Sequence, residues 1–216
     1  MTKFFKPQIT DIDYYQKDKY DTVERFISYY YQIFWAKKLA CKNILEIGIG
    51  NGLVSNYLNN SGAQVTTCDF DQANNPDVVA DVRQIPLGDG AFDLVMACQV
   101  LEHVPFEDFP KILKEFYRLS TKYVIISLPV RSSYFEIVLR LPFVRSLFHR
   151  NFLDFYFRKL LNFAGFDSSG QHYWEIDRKK YTFAMIRNAV QEKFHIISEF
   201  SPVLNKYHYF LILEKK

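Results

Sequence analysis

Short apolar runs alternate with longer mixed stretches between residues 42 and 128, and this alternation constrains the fold more than any other feature. The runs cover 42–47, 64–69, 77–81, 91–97 and 122–128. Runs of this length that are rich in β-branched residues predict buried strands, and the stretches between them are long enough for helices. Strands joined by helix-length connections form parallel crossover units. The sequence therefore predicts a doubly wound α/β sheet.

The end of the chain follows a different pattern. Two apolar runs, 194–200 and 206–214, are separated only by a short turn that contains proline. That connection is too short for a helical crossover, so the two runs must pair antiparallel. We predict a mostly parallel seven-stranded sheet with an antiparallel C-terminal strand in a three-layer α/β/α arrangement. A length of 216 residues fits one domain over 1–216.

Composition excludes several classes of protein. Hydrophobic residues make up 49% and charged residues 24%, which excludes a disordered chain. The net charge of +3 is too small to indicate a nucleic-acid partner. Three cysteines far apart, without CxxC spacing, predict reduced thiols, and there is neither a signal peptide nor a membrane-spanning run. We expect a soluble, cytoplasmic protein.

Glycine is scarce but locally concentrated. Three of the eight glycines are Gly48, Gly50 and Gly52, directly after the first predicted strand and before a predicted helix. Glycines at such a turn let the backbone bend tightly and let a ligand approach closely. No Gly-Lys-Ser/Thr follows, so the loop is not a P-loop, and Leu53 stands where a dinucleotide fingerprint needs its third glycine. An ordinary glycine-rich turn remains the alternative.

Carboxylates end the next two predicted strands. Asp69 lies 17 residues after Gly52 and can accept two hydrogen bonds from a ribose diol; we prefer it to Asp71 because it ends the apolar run itself. Asp81 ends the third strand and can accept from an adenine amino group, while the Val82 amide donates to a ring nitrogen. Either carboxylate can instead cap a helix.

These residues form an ordered pattern that resembles a known family. The stretch 45–52, then Asp69, Asp81 with Ile85-Pro86, and finally 92–104 resemble class I S-adenosylmethionine-dependent methyltransferases of the small-molecule type. The terminal antiparallel pair is similar to the seventh strand of that family. The resemblance implies a Rossmann-like fold and S-adenosylmethionine as the cofactor.

The resemblance also implies which residues bind the cofactor. Glu46 and the glycine loop are expected around the methionine and ribose portions, Phe70 beside the adenine, and Gln99 beneath the methionine end. The full implied set is Glu46, Gly48, Gly50, Gly52, Asp69, Phe70, Asp81, Val82 and Gln99.

Methyl transfer from a sulfonium is an in-line displacement whose donor is already activated, so no catalytic base is strictly required. The candidates for such a base are His103 and His172. His172 lies in a polar, aromatic cluster with Tyr173 and Trp174, and we expect these three residues to contact the acceptor. No His/Cys cluster has metal-ligand spacing, so no metal site is predicted.

Two segments elaborate the predicted domain. Residues 1–40 predict a helical cover, and 131–175 form a basic, aromatic lid insertion after the fifth strand. The stretch 131–159 has six basic and two acidic residues, so the positive excess of the chain lies there. Such a stretch can contact an anionic membrane surface peripherally or cover an apolar acceptor. The simplest structure is a helical lid with solvated arginines, and the stretch is too apolar for nucleic acid.

The sequence thus predicts an enzyme that transfers a methyl group from S-adenosylmethionine to a small-molecule, lipid-like or saccharide acceptor. An NAD(P)-dependent oxidoreductase is the alternative, but Leu53, the missing Tyr-x-x-x-Lys pair and the terminal hairpin argue against it. A non-catalytic S-adenosylmethionine-binding protein is a second alternative. The oligomeric state stays open.

Overall fold

A computed structural model describes residues 21–143, 145, 152–158, 172–178 and 180–216. Half of the predicted N-terminal cover, 1–20, and part of the predicted insertion, including 159–171, lie outside the described residues. Within the described ranges, no helix is long and apolar enough to cross a membrane.

The strands form two sheets in the described part of the chain. The strands are β1 (Asn43–Ile47), β2 (Gln64–Asp69), β3 (Val78–Val79), β4 (Phe92–Cys98), β5 (Ser120–Pro129), β6 (Tyr134–Leu139), β7 (Leu153–Arg158), β8 (Phe194–Phe200) and β9 (His208–Lys215). The larger sheet has seven strands in the order β3-β2-β1-β4-β5-β9-β8, and the smaller sheet pairs β6 with β7.

All neighbours in the larger sheet are parallel except β9, which is antiparallel to both β5 and β8. The predicted mostly parallel sheet with an antiparallel C-terminal strand is therefore confirmed. Because parallel strands place their carboxyl ends at one edge, the loops after β1, β2, β3 and β4 all meet there.

Helices cover both faces of the sheet. They are α1 (Val23–Lys38), α2 (Leu53–Asn60), α3 (Phe109–Leu119) and α4 (Phe183–Gln191). The side chains of Thr22 and Thr182 accept hydrogen bonds from backbone amides in the first turns of α1 and α4, which fixes where these helices begin.

Two apolar cores lie on opposite sides of the sheet. Ile44 of β1 packs with residues of α1 and α2, whereas the next residue, Leu45, packs with residues of α3 and α4. Neighbouring side chains along a strand point to opposite faces of the sheet, so β1 contributes residues to both cores. This arrangement confirms the predicted three layers.

The predicted helical lid is wrong over 134–139 and 153–158, which are strands. Residues 134–139 and 153–158 form an antiparallel hairpin, β6 and β7. The sequence Tyr-Phe-Glu-Ile-Val-Leu is rich in β-branched and aromatic residues, which favour strands. Its apolar residues 135, 137 and 139 also follow a period of two, as expected for a strand. The helical prediction rested on the charge and apolar content of the whole segment and did not use this spacing.

Candidate active site

The glycine loop connects β1 to α2 through left-handed backbone. Gly48, Gly50 and Gly52 have φ angles of 80°, 55° and 71°. A Cβ atom at Gly48 would lie 2.4 Å from Cγ2 of Val100, and the Gly48 N–H donates to the Cys68 carbonyl at 2.8 Å. Glycine at position 48 therefore lets the loop lie close to the neighbouring strand ends.

Asp69 holds the position predicted for a ribose-binding carboxylate. It is the last residue of β2 and is buried. Its Oδ2 accepts a hydrogen bond from the Ile49 N–H at 3.3 Å, and its Oδ1 accepts from the Asp71 N–H at 2.9 Å. Burial raises the pKa of Asp69. The carboxylate thus lies against the glycine loop, while the next residue, Phe70, is about half exposed.

Asp81 is oriented by an arginine that the sequence analysis did not single out. Its Oδ1 accepts from the backbone N–H of Arg83 at 2.9 Å and from Arg83 Nε at 2.8 Å. Arg83 also bridges to Asp108 at 3.1 Å. Burial acts to raise the pKa of Asp81, but the hydrogen bonds from Arg83 outweigh it and lower that pKa. Val82 is buried between them. The only signal in the sequence was the Asp-x-Arg spacing.

Glu46 is a buried carboxylate on β1 that faces the cleft beside the glycine loop. Its Oε2 has no hydrogen-bond partner among the described residues. Burial raises the pKa of Glu46 to about 8, although hydrogen bonds from the side chain and backbone of Ser55 act to lower it. A carboxylate with a free oxygen at this position can accept from a cationic group of a bound ligand.

The cleft is bounded by α1 on one side and by the loops after β1 and β4 on the other. From α1 it is lined by Arg25, Ser28, Tyr29 and Gln32, and from the rest of the chain by Glu46, Gly48, Ile49, Gly50, Asn51, Val54, Cys98, Gln99 and His208. The polar residues of α1 were not predicted as site residues. The available signal was the pair Ser28 and Gln32, one turn apart on a buried face, which bond to each other at 3.2 Å.

Gln99 and His208 lie at the same cleft. Gln99 has a φ of 57°, and it donates to Ser127 through its backbone N–H at 3.0 Å and through Nε2 at 3.3 Å. Left-handed backbone at a non-glycine residue is typical of functional sites. Burial lowers the pKa of His208 to about 3, so this side chain is neutral at physiological pH.

The two candidate histidines meet around a buried glutamate. Ligand atoms of Glu102, His103 and His172 lie within 4.8 Å of one another, and the two imidazole rings are edge-on with centroids 4.9 Å apart. Glu102 is fully buried, and neither of its carboxylate oxygens has a partner among the described residues. Burial raises the pKa of Glu102 to about 7.

A second buried glutamate orients His172. Nδ1 of His172 lies 2.8 Å from Oε1 of Glu175, which also accepts from the Tyr207 hydroxyl at 3.2 Å. Arg131 Nη1 lies 3.5 Å from the other oxygen of Glu175. Burial acts to raise the pKa of Glu175, but the hydrogen bond from His172 and the neighbouring donors lower it. This role of Glu175 was not predicted from the sequence.

The predicted acceptor role of Trp174 is wrong in this structure. Trp174 is fully buried, its Nε1 donates to the Val104 carbonyl at 3.0 Å, and its ring packs edge-on against Phe106 and Phe109. It is a core residue because the chain turns inward there. Tyr173, its neighbour, is half exposed and stays a candidate for acceptor contact.

Linear spacing did not reveal the grouping of Glu102 with His103 and His172, because His172 comes from a distant segment. The absence of a metal from the reaction stays a prediction. The three thiols are poor nucleophiles, because burial raises the pKa of Cys41, Cys68 and Cys98 to about 12 and thus favours the protonated form.

Comparison with known proteins finds a match over the middle of the chain. Residues 45–127 match the family described as "Methyltransferase domain". This segment is therefore similar to a methyltransferase domain, and it makes up less than half of the chain. The predicted family resemblance is therefore confirmed.

A curated methyltransferase is similar to part of this chain. The Ubiquinone biosynthesis O-methyltransferase of Pseudomonas aeruginosa is 33% identical over 96 residues, which cover 38% of this chain and 40% of that protein. The chain thus matches less than half the length of that curated relative.

Solved structures share the fold at low identity. Magnesium protoporphyrin IX methyltransferase from Synechocystis PCC 6803 with bound SAH superposes with a TM-score of 0.61 at 17% identity, covering 90% of this chain and 84% of that one. The N-methyltransferase NodS from Bradyrhizobium japonicum WM9 in complex with S-adenosyl-l-homocysteine gives 0.57 at 11% identity, covering 95% and 93%.

Proposed function

We propose that the protein transfers the methyl group of S-adenosylmethionine to a small-molecule acceptor. The observation that carries this proposal is a cleft at the carboxyl edge of the sheet that Glu46 and the glycine loop line, with Asp69 hydrogen-bonded to Ile49 of the same loop. A carboxylate beside the loop suits the ribose hydroxyls, and Glu46 suits the amino group of the methionine portion. Asp81, Val82 and Phe70 are then assigned to the adenine.

The acceptor is placed at the methionine end, beside Gln99, His103 and Tyr173. The curated relatives are named O-methyltransferases, which favours a hydroxyl acceptor on a lipid-like or saccharide molecule. An NAD(P)-dependent oxidoreductase gains no support from the methyltransferase domain family or from the fold neighbours.

In the proposed reaction a lone pair of the acceptor oxygen attacks the methyl carbon in line with the carbon–sulfur bond. That bond breaks, and its electron pair stays on sulfur to give S-adenosylhomocysteine. The hydroxyl proton passes to His172, whose ring is held by Glu175. Alignment and exclusion of water supply most of the catalysis, because the donor is already activated.

We also propose a cytoplasmic location. Three cysteines without disulfide partners fit a reducing compartment. Fractionation of cells that express a tagged chain tests this, and recovery from an extracytoplasmic compartment would contradict it.

Isothermal titration with S-adenosylhomocysteine tests the proposed cofactor. The wild type is expected to bind, and Asp69→Ala is expected to weaken binding at least about tenfold, because charge-assisted hydrogen bonds to a diol are lost. Asp71→Ala is the matched control, since the Asp71 carboxylate accepts from the local Ala73 amide at 2.9 Å, outside the glycine loop. Absence of binding at millimolar ligand, or equal affinity of Asp69→Ala and wild type, would contradict the proposal.

A further inference from the structure

One face of the β6–β7 hairpin is made of apolar side chains. The register pairs Phe135 with Phe157, Ile137 with Phe155 and Leu139 with Leu153. Directly paired residues in an antiparallel ladder share a face, and every second residue returns to it. These six residues, which we call the hairpin face, are therefore contiguous. Five of them are between 39% and 52% exposed, so the described residues leave the face largely uncovered.

Ion pairs on the opposite face hold the hairpin to the domain. Lys206 Nζ lies 3.1 Å from Glu136 and 2.9 Å from Asp154, and Lys206 itself is buried. Arg158 reaches Asp177 at 3.8 Å. These ion pairs involve both strands and hold the opposite face of the hairpin against the domain, so the hairpin face points away from the domain.

Two exposed arginines follow the strand that forms one half of the hairpin face. Arg140 and Arg145 are exposed just beyond the end of β6, together with the exposed apolar residues Leu141 and Phe143. The acidic residues of the hairpin, Glu136 and Asp154, are on the other face, where both pair with Lys206. An apolar surface with arginines at its margin matches the boundary between acyl chains and anionic headgroups.

We propose that the hairpin face docks on the surface of a lipid bilayer that contains anionic lipids. The aromatic and aliphatic side chains enter the headgroup boundary, and Arg140 and Arg145 contact lipid phosphates. A protein partner would need acidic residues to match these arginines and an apolar patch to match the face, whereas an anionic bilayer offers both at once. The proposal does not depend on methyl transfer.

Cosedimentation with vesicles tests the docking directly. The full chain is mixed with vesicles of phosphatidylcholine alone or of phosphatidylcholine with phosphatidylglycerol. Binding to the anionic vesicles is expected to be several-fold stronger, and high salt is expected to reduce it, because surface electrostatics are screened within about 10 Å at 0.1 M salt.

Paired substitutions identify the surface. Phe135→Ser with Phe157→Ser removes a cross-strand pair of the hairpin face and is expected to lower vesicle partitioning at least about tenfold, because the apolar contribution is lost. Arg140→Glu with Arg145→Glu is expected to abolish the preference for anionic vesicles. Tyr57→Ser, at an equally exposed aromatic residue on α2, is the matched control and should bind like wild type.

Several outcomes would overturn the proposal. One is a wild type that does not bind anionic vesicles, and another is a Phe135/Phe157 variant that binds as wild type does. If the wild type is a dimer that does not bind vesicles, and the Phe135/Phe157 variant is a monomer, the hairpin face is instead an interface with a second copy of the chain. If the wild type does not bind vesicles and the Phe135/Phe157 variant has a much lower Tm, the hairpin face is instead covered by other parts of the same chain. Affinity for S-adenosylhomocysteine is measured on the same samples and should not change, so failure of docking is distinguished from failure of the proposed function.

Discussion

The proposed cofactor side and the proposed acceptor side of the site differ in how the chain assembles them. The cofactor side gathers Glu46 within β1, the glycine loop that directly follows β1, and Asp69, which ends the neighbouring parallel strand β2. The acceptor side gathers Glu102 and His172 from segments far apart in sequence, with Glu175 behind them. Strand order alone therefore places the first set, whereas the second depends on how the segment after the hairpin packs on the domain.

The largest expected effect concerns the glycine loop on the cofactor side. Gly48→Ala puts a Cβ 2.4 Å from Val100 and also strains a φ of 80°. We expect a loss of roughly 3 kcal/mol in the free energy of unfolding from strain and overpacking. Affinity for S-adenosylhomocysteine should fall about a hundredfold, since misplacement by an ångström can cost that much. Urea unfolding and titration calorimetry measure the two effects.

Gly62→Ala is the matched control for that substitution. Gly62 has a φ of 87°, but a Cβ atom at this position would meet no described atom within 4 Å. Only the backbone strain of about 1 to 2 kcal/mol should appear, with affinity unchanged. Equal losses in both variants would show that close approach to Val100 does not shape the cofactor side.

The same contrast explains what could be predicted from the sequence. The predicted strand 64–69 coincides with β2, and Asp69 was found because an apolar run ends at it. Glu175 was missed because its importance comes from Tyr207 and Arg131, which are distant in sequence. Trp174 was misassigned because composition cannot show whether an aromatic side chain turns inward.

The next largest effect is expected on the acceptor side, at Glu175. Glu175→Gln removes the buried charge that pairs with Arg131 and holds His172. We expect a loss of about 3 kcal/mol in the free energy of unfolding, because breaking a buried ion pair leaves a charge uncompensated. Affinity for S-adenosylhomocysteine should stay within about twofold, since Glu175 is not among the residues that line the cleft proposed for that ligand. A large loss of affinity would break the separation between the two sides.

The buried glutamates allow the two sides to be compared by pH. Burial raises the pKa of Glu46 to about 8 and that of Glu102 to about 7, from an ordinary value of 4.5. The folded state binds these protons more tightly than the unfolded state, so stability is highest below pH 4.5 for these groups and falls as pH rises through the raised values.

Glu102→Gln should therefore be more stable than wild type at pH 8, by up to about 3 kcal/mol, and equal to it near pH 4. Glu46→Gln should show the same sign. Only Glu46→Gln should weaken binding of S-adenosylhomocysteine, because only Glu46 lines the cofactor cleft. Urea unfolding at both pH values checks the sign; a Glu102→Gln variant that is less stable at pH 8 would mean that the carboxylate has a cationic partner there.

The smallest expected effect concerns Trp174. Trp174→Phe removes the hydrogen bond to the Val104 carbonyl and leaves space against Phe106 and Phe109. A loss of about 1 to 2 kcal/mol in the free energy of unfolding is expected, with cofactor affinity unchanged. Tyr173→Phe, at the exposed neighbour, should leave stability within about 0.5 kcal/mol. If Trp174→Phe kept full stability while Tyr173→Phe lost it, the inward and outward positions of these two residues would be reversed, and with them the boundary between core and acceptor side.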